Sequence, residues 1–340
     1  MSFRIHRHRT SAFTVVAPSG STEVIAAHTS TPFVTAYPWS AGFGTKRSDP
    51  ASLPAGNGNG IDFNPDGDFV VVACTTSPFT AGYPYADGFG TKVSDPGTLP
   101  AGAGNIAKFT PDGAFVAISH NATPFLSVYP WTTGYGTKVS DPASLPEGNG
   151  FGMDINPAGD ELVLSHSTTP FVSAYPWSGT FGTKRSDPST LPGNAGLSLA
   201  FTPDGADIII PHAGTPFQDA YPYSSGFGSR YSNPGTLPAN NGKKAVFNND
   251  STEVVINHDS TPFTSAYPWS SGYGTKRSDA ASLLPNFGLG VEFNREGTDL
   301  IIGHATTPFI TGYSYAAGYG TKYSNPGTLP PLNVNEITFN

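Results

Sequence analysis

The chain has 340 residues, of which 40 are glycine and 33 proline, and only 12% are charged. So many helix breakers exclude a helical protein, and 23 phenylalanines with 15 tyrosines exclude a disordered one. The net charge of −8 gives no bulk attraction to nucleic acid, and no apolar run nears the roughly 18 residues of a membrane span.

The first ten residues carry Arg4, Arg7 and Arg9. The apolar stretch over 12–17 is shorter than a signal-peptide core of roughly 7–15 residues, so export by the standard route is not supported. Residues 1–16 are read as a basic arm, with Arg4, Arg7 and Arg9 as a candidate anchor on an acidic partner. A terminus without fixed order is the competing reading. A single domain is expected over 17–340.

Beyond the arm the chain repeats. Phe33, Phe79, Phe125, Phe171, Phe217, Phe263 and Phe309 are each 46 residues apart, and so are the leucines from Leu53 to Leu329 and the glycines from Gly44 to Gly320. Seven periods run without insertion or deletion. In the second unit, residues 57–64 read as a strand entering the turn Pro65-Asp66-Gly67, where Pro presets φ and Gly accepts a positive one. Residues 69–73, FVVVA, read as a strand buried on both faces. Residues 79–85 alternate as a third strand, with Pro84 placing it on the outer side of a sheet. After Ala86-Asp87-Gly88 comes a weak fourth strand over 89–94. Asp95-Pro96 then starts the return through Leu99-Pro100. The C-terminal segment ending in Phe339 has the phase of an eighth first strand. It is expected beside residues 24–28, with residues 13–17 as a competitor in the same phase.

A four-stranded unit of this length has the period of a β-propeller blade. The segment Phe109-Thr110-Pro111-Asp112-Gly113, continued by Val116-Ala117, resembles the core of WD-repeat and YVTN-type propeller blades over residues 17–340. Tyr-Pro-Trp stands in the third strand and no Trp-Asp dipeptide occurs. The resemblance implies first strands innermost around a central channel and a ring closed by a strand shared between the termini. The fold expected is all-β: a seven-bladed β-propeller with four-stranded blades of 46 residues, closed by the C-terminal strand.

Three sets of repeated residues invite functional readings. His28, His120, His166, His212, His258 and His304 share one phase, with Cys74 in the remaining repeat. Equivalents around a ring stand too far apart for one metal ion, so they are read as strand-end histidines bonded to neighbouring hydroxyls or backbone. Lys46, Lys92, Lys138, Lys184, Arg230, Lys276 and Lys322 form a ring of cations and a candidate anionic-ligand surface. Asp49 and its equivalents, three residues on, offer a structural pairing instead. Trp39, Trp131, Trp177 and Trp269 are candidates for stacking on sugar rings, or for packing between sheets.

No catalytic constellation, metal or cofactor is expected. Lys108, Met153, Pro211, Gln218, Asp219, Lys243, Lys244, Asn286, Phe287, Arg295 and Glu296 break the symmetry, but are read as scattered through different phases. The near-identical repeats resemble propeller proteins of tailed bacteriophages and some bacteria. That resemblance implies a non-enzymatic virion component of tail or head surface, engaged in docking or host attachment. Its partners would be other virion proteins and a host-surface glycan. The alternative is a cellular or secreted glycan-binding or scaffold propeller, in the bacterial cytoplasm or at the cell surface.

Overall fold

The computed structural model describes residues 22–340. The basic arm with Arg4, Arg7 and Arg9, and the competing strand over 13–17, lie outside the described residues. Among the described residues there is no helix, and seven antiparallel sheets follow one another along the chain. The second sheet is Gly58–Phe63, Phe69–Cys74 and Thr80–Pro84. Its first turn closes through Gly67 at φ 71°, whose N–H donates to the Asn64 carbonyl at 2.9 Å. The β-branched middle strand is almost wholly buried, as a strand covered on both faces should be.

Two expectations need correction. Phe79 is not part of the third strand. It sits in the left-handed region at φ 69°, in a tight turn where its carbonyl accepts from Cys74 N at 2.9 Å and its N–H donates to Thr76 O at 2.8 Å. The other six phenylalanines of this phase repeat that geometry. Six of the seven sheets also have three strands rather than four. Where a fourth was expected there is an isolated bridge, Tyr85 to Phe89, and a single bond from Val93 N to Gly82 O at 2.9 Å. The physical reason is proline. Pro38, Pro84, Pro130, Pro176, Pro222 and Pro268 end the third strands of those six sheets, and a proline cannot donate to a further ladder. The seventh sheet has Ser314 at this phase. It alone carries the fourth strand, Tyr319–Lys322, beside Ile310–Tyr315.

The C-terminal strand Val334–Phe339 pairs with Glu23–His28, Val24 opposite Phe339 and Ala27 opposite Glu336. The first strands touch one another in chain order, from Gly58–Phe63 through to Gly288–Phe293. That last strand touches Val334–Phe339, which in turn touches Gly58–Phe63.

The core lies between successive sheets. Val71 and Ala73 pack on Val116 and Ile118, while Val24 and Ala26 pack on Ile301 and Ile310. Seven buried tyrosines each donate to a carbonyl of the preceding repeat, as Tyr83 does to Ser52 at 2.8 Å and Tyr37 to Thr328 at 2.8 Å.

Each sheet-to-sheet junction also holds a trio of side chains, and only three kinds of trio occur. Glu23, Arg47 and Tyr85 form the first kind, with the carboxylate bound by both the guanidinium and the phenol. Glu161, Arg185 and Tyr223 repeat it, as do Glu253, Arg277 and Tyr315. The second kind is apolar: Phe69, Val93 and Trp131, then Phe115, Val139 and Trp177, with rings meeting edge to face at 5.6 and 5.3 Å. In the third, an aspartate accepts from a tyrosine and a tryptophan. Asp207 takes Tyr231 OH at 2.6 Å and Trp269 Nε1 at 2.8 Å, and Asp299 takes Tyr323 OH at 2.5 Å and Trp39 Nε1 at 2.9 Å. All four tryptophans are therefore buried at junctions, at most 5% exposed.

Candidate functional site in the central channel

Each first strand carries a bulge or irregularity against its middle strand, and in the fifth sheet the same extra residue falls between the bridge of Gly196 with His212 and the pair of Ala200 with Ile209. In the second sheet the register slips between Gly58 and Gly60, leaving Asn59 as the extra residue. A bulge re-aims side chains. The regular ladder is shortest in the fifth sheet, where Pro211 has no N–H to donate and its carbonyl accepts from Leu197 N at 2.9 Å.

One cavity of about 260 Å³ is lined by a residue from each repeat: Asn59, Asn105, Phe151, Leu197, Lys243, Leu289 and Asn335. Cavities of about 270 and 230 Å³ continue past Lys108 and Glu292. The first strands thus surround a channel, and the residues on its wall are not equivalent. The phase of Asp62 reads Asp62, Lys108, Asp154, Ala200, Val246, Glu292 and Thr338. Two residues earlier the phase reads Gly60, Ile106, Gly152, Ser198, Lys244, Gly290 and Glu336. This corrects the reading of scattered symmetry breakers: Lys108 shares its register with three carboxylates, and Lys244 shares the next with Glu336. Writing the repeats in columns of 46 exposes this, because Phe63 and its equivalents stay apolar beside a column that changes charge.

Lys108 Nζ lies 3.5 Å from Asp62 Oδ1, and Asp62 Oδ2 accepts from Phe109 N at 2.8 Å. Asp62 holds the Lys108 ammonium protonated, well above the usual lysine range. Burial pushes the Asp62 carboxyl up, against the pull of Lys108. Asp154 is fixed by Phe201 N and Ile155 N, both at 3.0 Å. Lys244 pairs with Glu336. Glu292 has no hydrogen bond or ion pair among the described residues. Burial pushes its carboxyl up to about 7, opposed by Lys108 and Lys244 and reinforced by Glu336 and Asp62. It keeps some accessible surface because the channel is open, yet protein surrounds it, and the surrounding protein governs its ionisation. A carboxylate half ionised near neutrality can take a proton from water, and ammonium groups on the same channel can stabilise a developing anion.

The repeated residues named from the sequence lie elsewhere. Lys46, Lys92, Lys138 and Lys276 pair with the aspartate three residues on. Lys184 pairs with Asp187 at 3.1 Å and Glu147 at 2.7 Å, and Arg230 with Asp219 at 2.9 Å. Lys322, followed by Asn325, has no ion pair among the described residues. Each histidine Nε2 meets a side chain seven residues on, as His28 meets Thr35 at 2.8 Å and His212 meets Asp219 at 3.0 Å.

No protein-family model matches this chain, and a search of curated proteins returns no match. Solved structures match over nearly its whole length. The Pseudomonas aeruginosa periplasmic gluconolactonase superposes with a TM-score of 0.69 at 13% identity, covering 94% of this chain and 99% of that one. A candidate 6-phosphogluconolactonase from Bacteroides uniformis gives 0.70 at 12%, covering 95% and 100%. A Lactobacillus plantarum protein gives 0.71 at 13%, covering 94% and 99%. At these identities the likeness carries the fold alone, and the resemblance to WD-repeat and YVTN-type blades holds at the level of the propeller fold. The expectation of a non-enzymatic bacteriophage virion part for host attachment is overturned by these neighbours. The fold they share is one on which named lactonases are built, and loops of constant length do not exclude chemistry in a channel. No helix of the described residues is long and apolar enough to cross a membrane.

Proposed function

We propose that the seven sheets are the blades of a closed propeller whose channel hydrolyses a small sugar-derived lactone. The observation that carries the reading is the charged register of Asp62, Lys108, Asp154 and Glu292 on the walls of one channel. Closure is supported by the pairing of Val334–Phe339 with Glu23–His28 and by the junction of Trp39 with Asp299. The lactonase names of two structural neighbours supply the substrate class.

Glu292, with no protein partner to hold its proton, is the base. It takes a proton from water as the water oxygen bonds to the lactone carbonyl carbon. The carbonyl oxygen gains negative charge, which the ammonium groups of Lys108 and Lys244 stabilise. When the carbonyl re-forms, the ring C–O bond breaks, and the departing oxygen takes the proton held by Glu292. The product is the open hydroxy acid. Asp62 keeps the Lys108 ammonium protonated and in place, and Glu336 holds the Lys244 ammonium in place.

Proton release on ring opening of glucono-1,5-lactone tests this against the spontaneous rate. The wild-type protein should accelerate it, and Glu292→Gln should lose about 100-fold. Lys46→Ala, on the paired ring outside the channel, should change nothing. Equal rates for wild type and Glu292→Gln would remove the reading.

A further inference from the structure

The channel mouth differs in character from the charged level beneath it. Asn335, Asn59 and Asn105 stand on three successive first strands, and each donates one amide N–H to the next wall: to Gly58 O at 3.0 Å, Gly104 O at 2.9 Å and Gly150 O at 2.7 Å. These bonds fix the amide planes. Asn59 and Asn105 keep a second N–H, Asn335 donates a longer second bond to Asn59 Oδ1 at 3.4 Å, and Asn105 and Asn335 keep an acceptor oxygen. Across the mouth, Phe151 and Leu197 stand on adjacent strands as an apolar pair on the same cavity, with Leu289 beyond Lys243. All six lie in one repeat phase, so the division into a polar arc and an apolar arc is written in one column of the sequence. Lys243, the one cation of that column, is paired with Asp259 at 3.2 Å.

We infer that this mouth is a recognition subsite for an uncharged pyranose-type ring, deepening the proposed lactone hydrolysis on which it rests. A pyranose has hydroxyls around its edge and C–H groups on its faces. The edge suits this arc, where Asn59 and Asn105 offer N–H donors and Asn105 and Asn335 offer acceptor oxygens, and a face suits Phe151. A phosphorylated ring does not suit this place. The two channel lysines below are paired with Asp62 and Glu336, and Asp154 and Glu292 add unmatched negative charge. A dianion would meet repulsion rather than a cation free to receive it.

Binding and hydrolysis are measured separately. Calorimetry with D-glucose, a neutral pyranose that is not a substrate, should show binding that weakens roughly fivefold in Phe151→Leu, which keeps an apolar side chain but loses the flat face. It should weaken comparably in Asn105→Leu, persist in Glu292→Gln, and be at least several-fold weaker for D-glucose 6-phosphate. Preference for the phosphate ester, unchanged affinity in both mouth variants, or no binding of glucose at tens of millimolar would overturn the subsite. If glucose binds as expected while no lactone is hydrolysed, the subsite stands and the hydrolase reading falls. If lactone is hydrolysed with a KM that Phe151→Leu leaves unchanged, the reverse holds.

Discussion

The junction trios show how strongly one side chain constrains its neighbours across a sheet boundary. A buried carboxylate such as Glu161 is tolerated because Arg185 and Tyr223 both reach it; where the carboxylate is replaced by Phe69, the partners become Val93 and Trp131. Arg185→Ala should therefore destabilise by about 2–3 kcal/mol, less than a fully buried pair because the arginine is partly exposed. The triple change Glu161→Phe, Arg185→Val, Tyr223→Trp installs a complete apolar trio and should restore most of that stability in urea denaturation. A triple variant as unstable as the sum of its single changes would contradict the interchangeability. The buried histidines make the fold sensitive to pH. Burial lowers His28, His120, His258 and His304 to about 4, so the unfolded chain binds protons first as pH falls. Their stabilising effect is complete above about pH 6.5 and is lost progressively toward pH 4, by up to roughly 3 kcal/mol for each. Thermal melting should fall steadily from pH 7 to pH 4.5, and a flat profile would show that these rings are not held neutral.

Single residues decide how far each element runs. Ser314 in place of proline permits the fourth strand of the last sheet, so Ser314→Pro should abolish protection of the 319–322 amides in hydrogen exchange while leaving Ile310–Tyr315 protected. Continued protection of Thr321 or Lys322 would refute the proline account. The strand at the C-terminal end of the chain carries more: deleting 334–340 would uncover Val24 and Ala26, fully buried at present, and should lower the melting temperature by well over 10 °C. The repeat and its turn chemistry made the first two strands of each unit legible. Phe79 escaped because a bulky residue at positive φ has no propensity signal. The missing fourth strand is harder to read, because Pro84 marks an outer strand whether or not its absent N–H faces the next ladder.

Across the whole molecule, near-identity of the repeats hides the chemistry. A ring of copies presents the same surface wherever the sequence is constant, and the rim of lysine–aspartate pairs does so in five of its seven repeats. Function resides in the columns that vary. The column from Asp62 to Thr338 turns from acid to base to acid around one channel, and the column from Asn59 to Asn335 divides its mouth into amides and apolar groups. Lys108 is recognisable in the sequence as an oddity, and its partners Asp62, Asp154 and Glu292 stand in its own phase, 46 or more residues away. The desolvation that tunes Glu292 could not be read without the enclosing walls. The most direct measurement is the pH dependence of lactone ring opening. The rate catalysed by the wild-type protein should rise with pH through an inflection near 7, as Glu292 ionises, and Glu292→Gln should lack that inflection. A wild-type rate indistinguishable from the spontaneous reaction at every pH, or an inflection that survives in Glu292→Gln, would contradict the assignment of the channel as the reacting site.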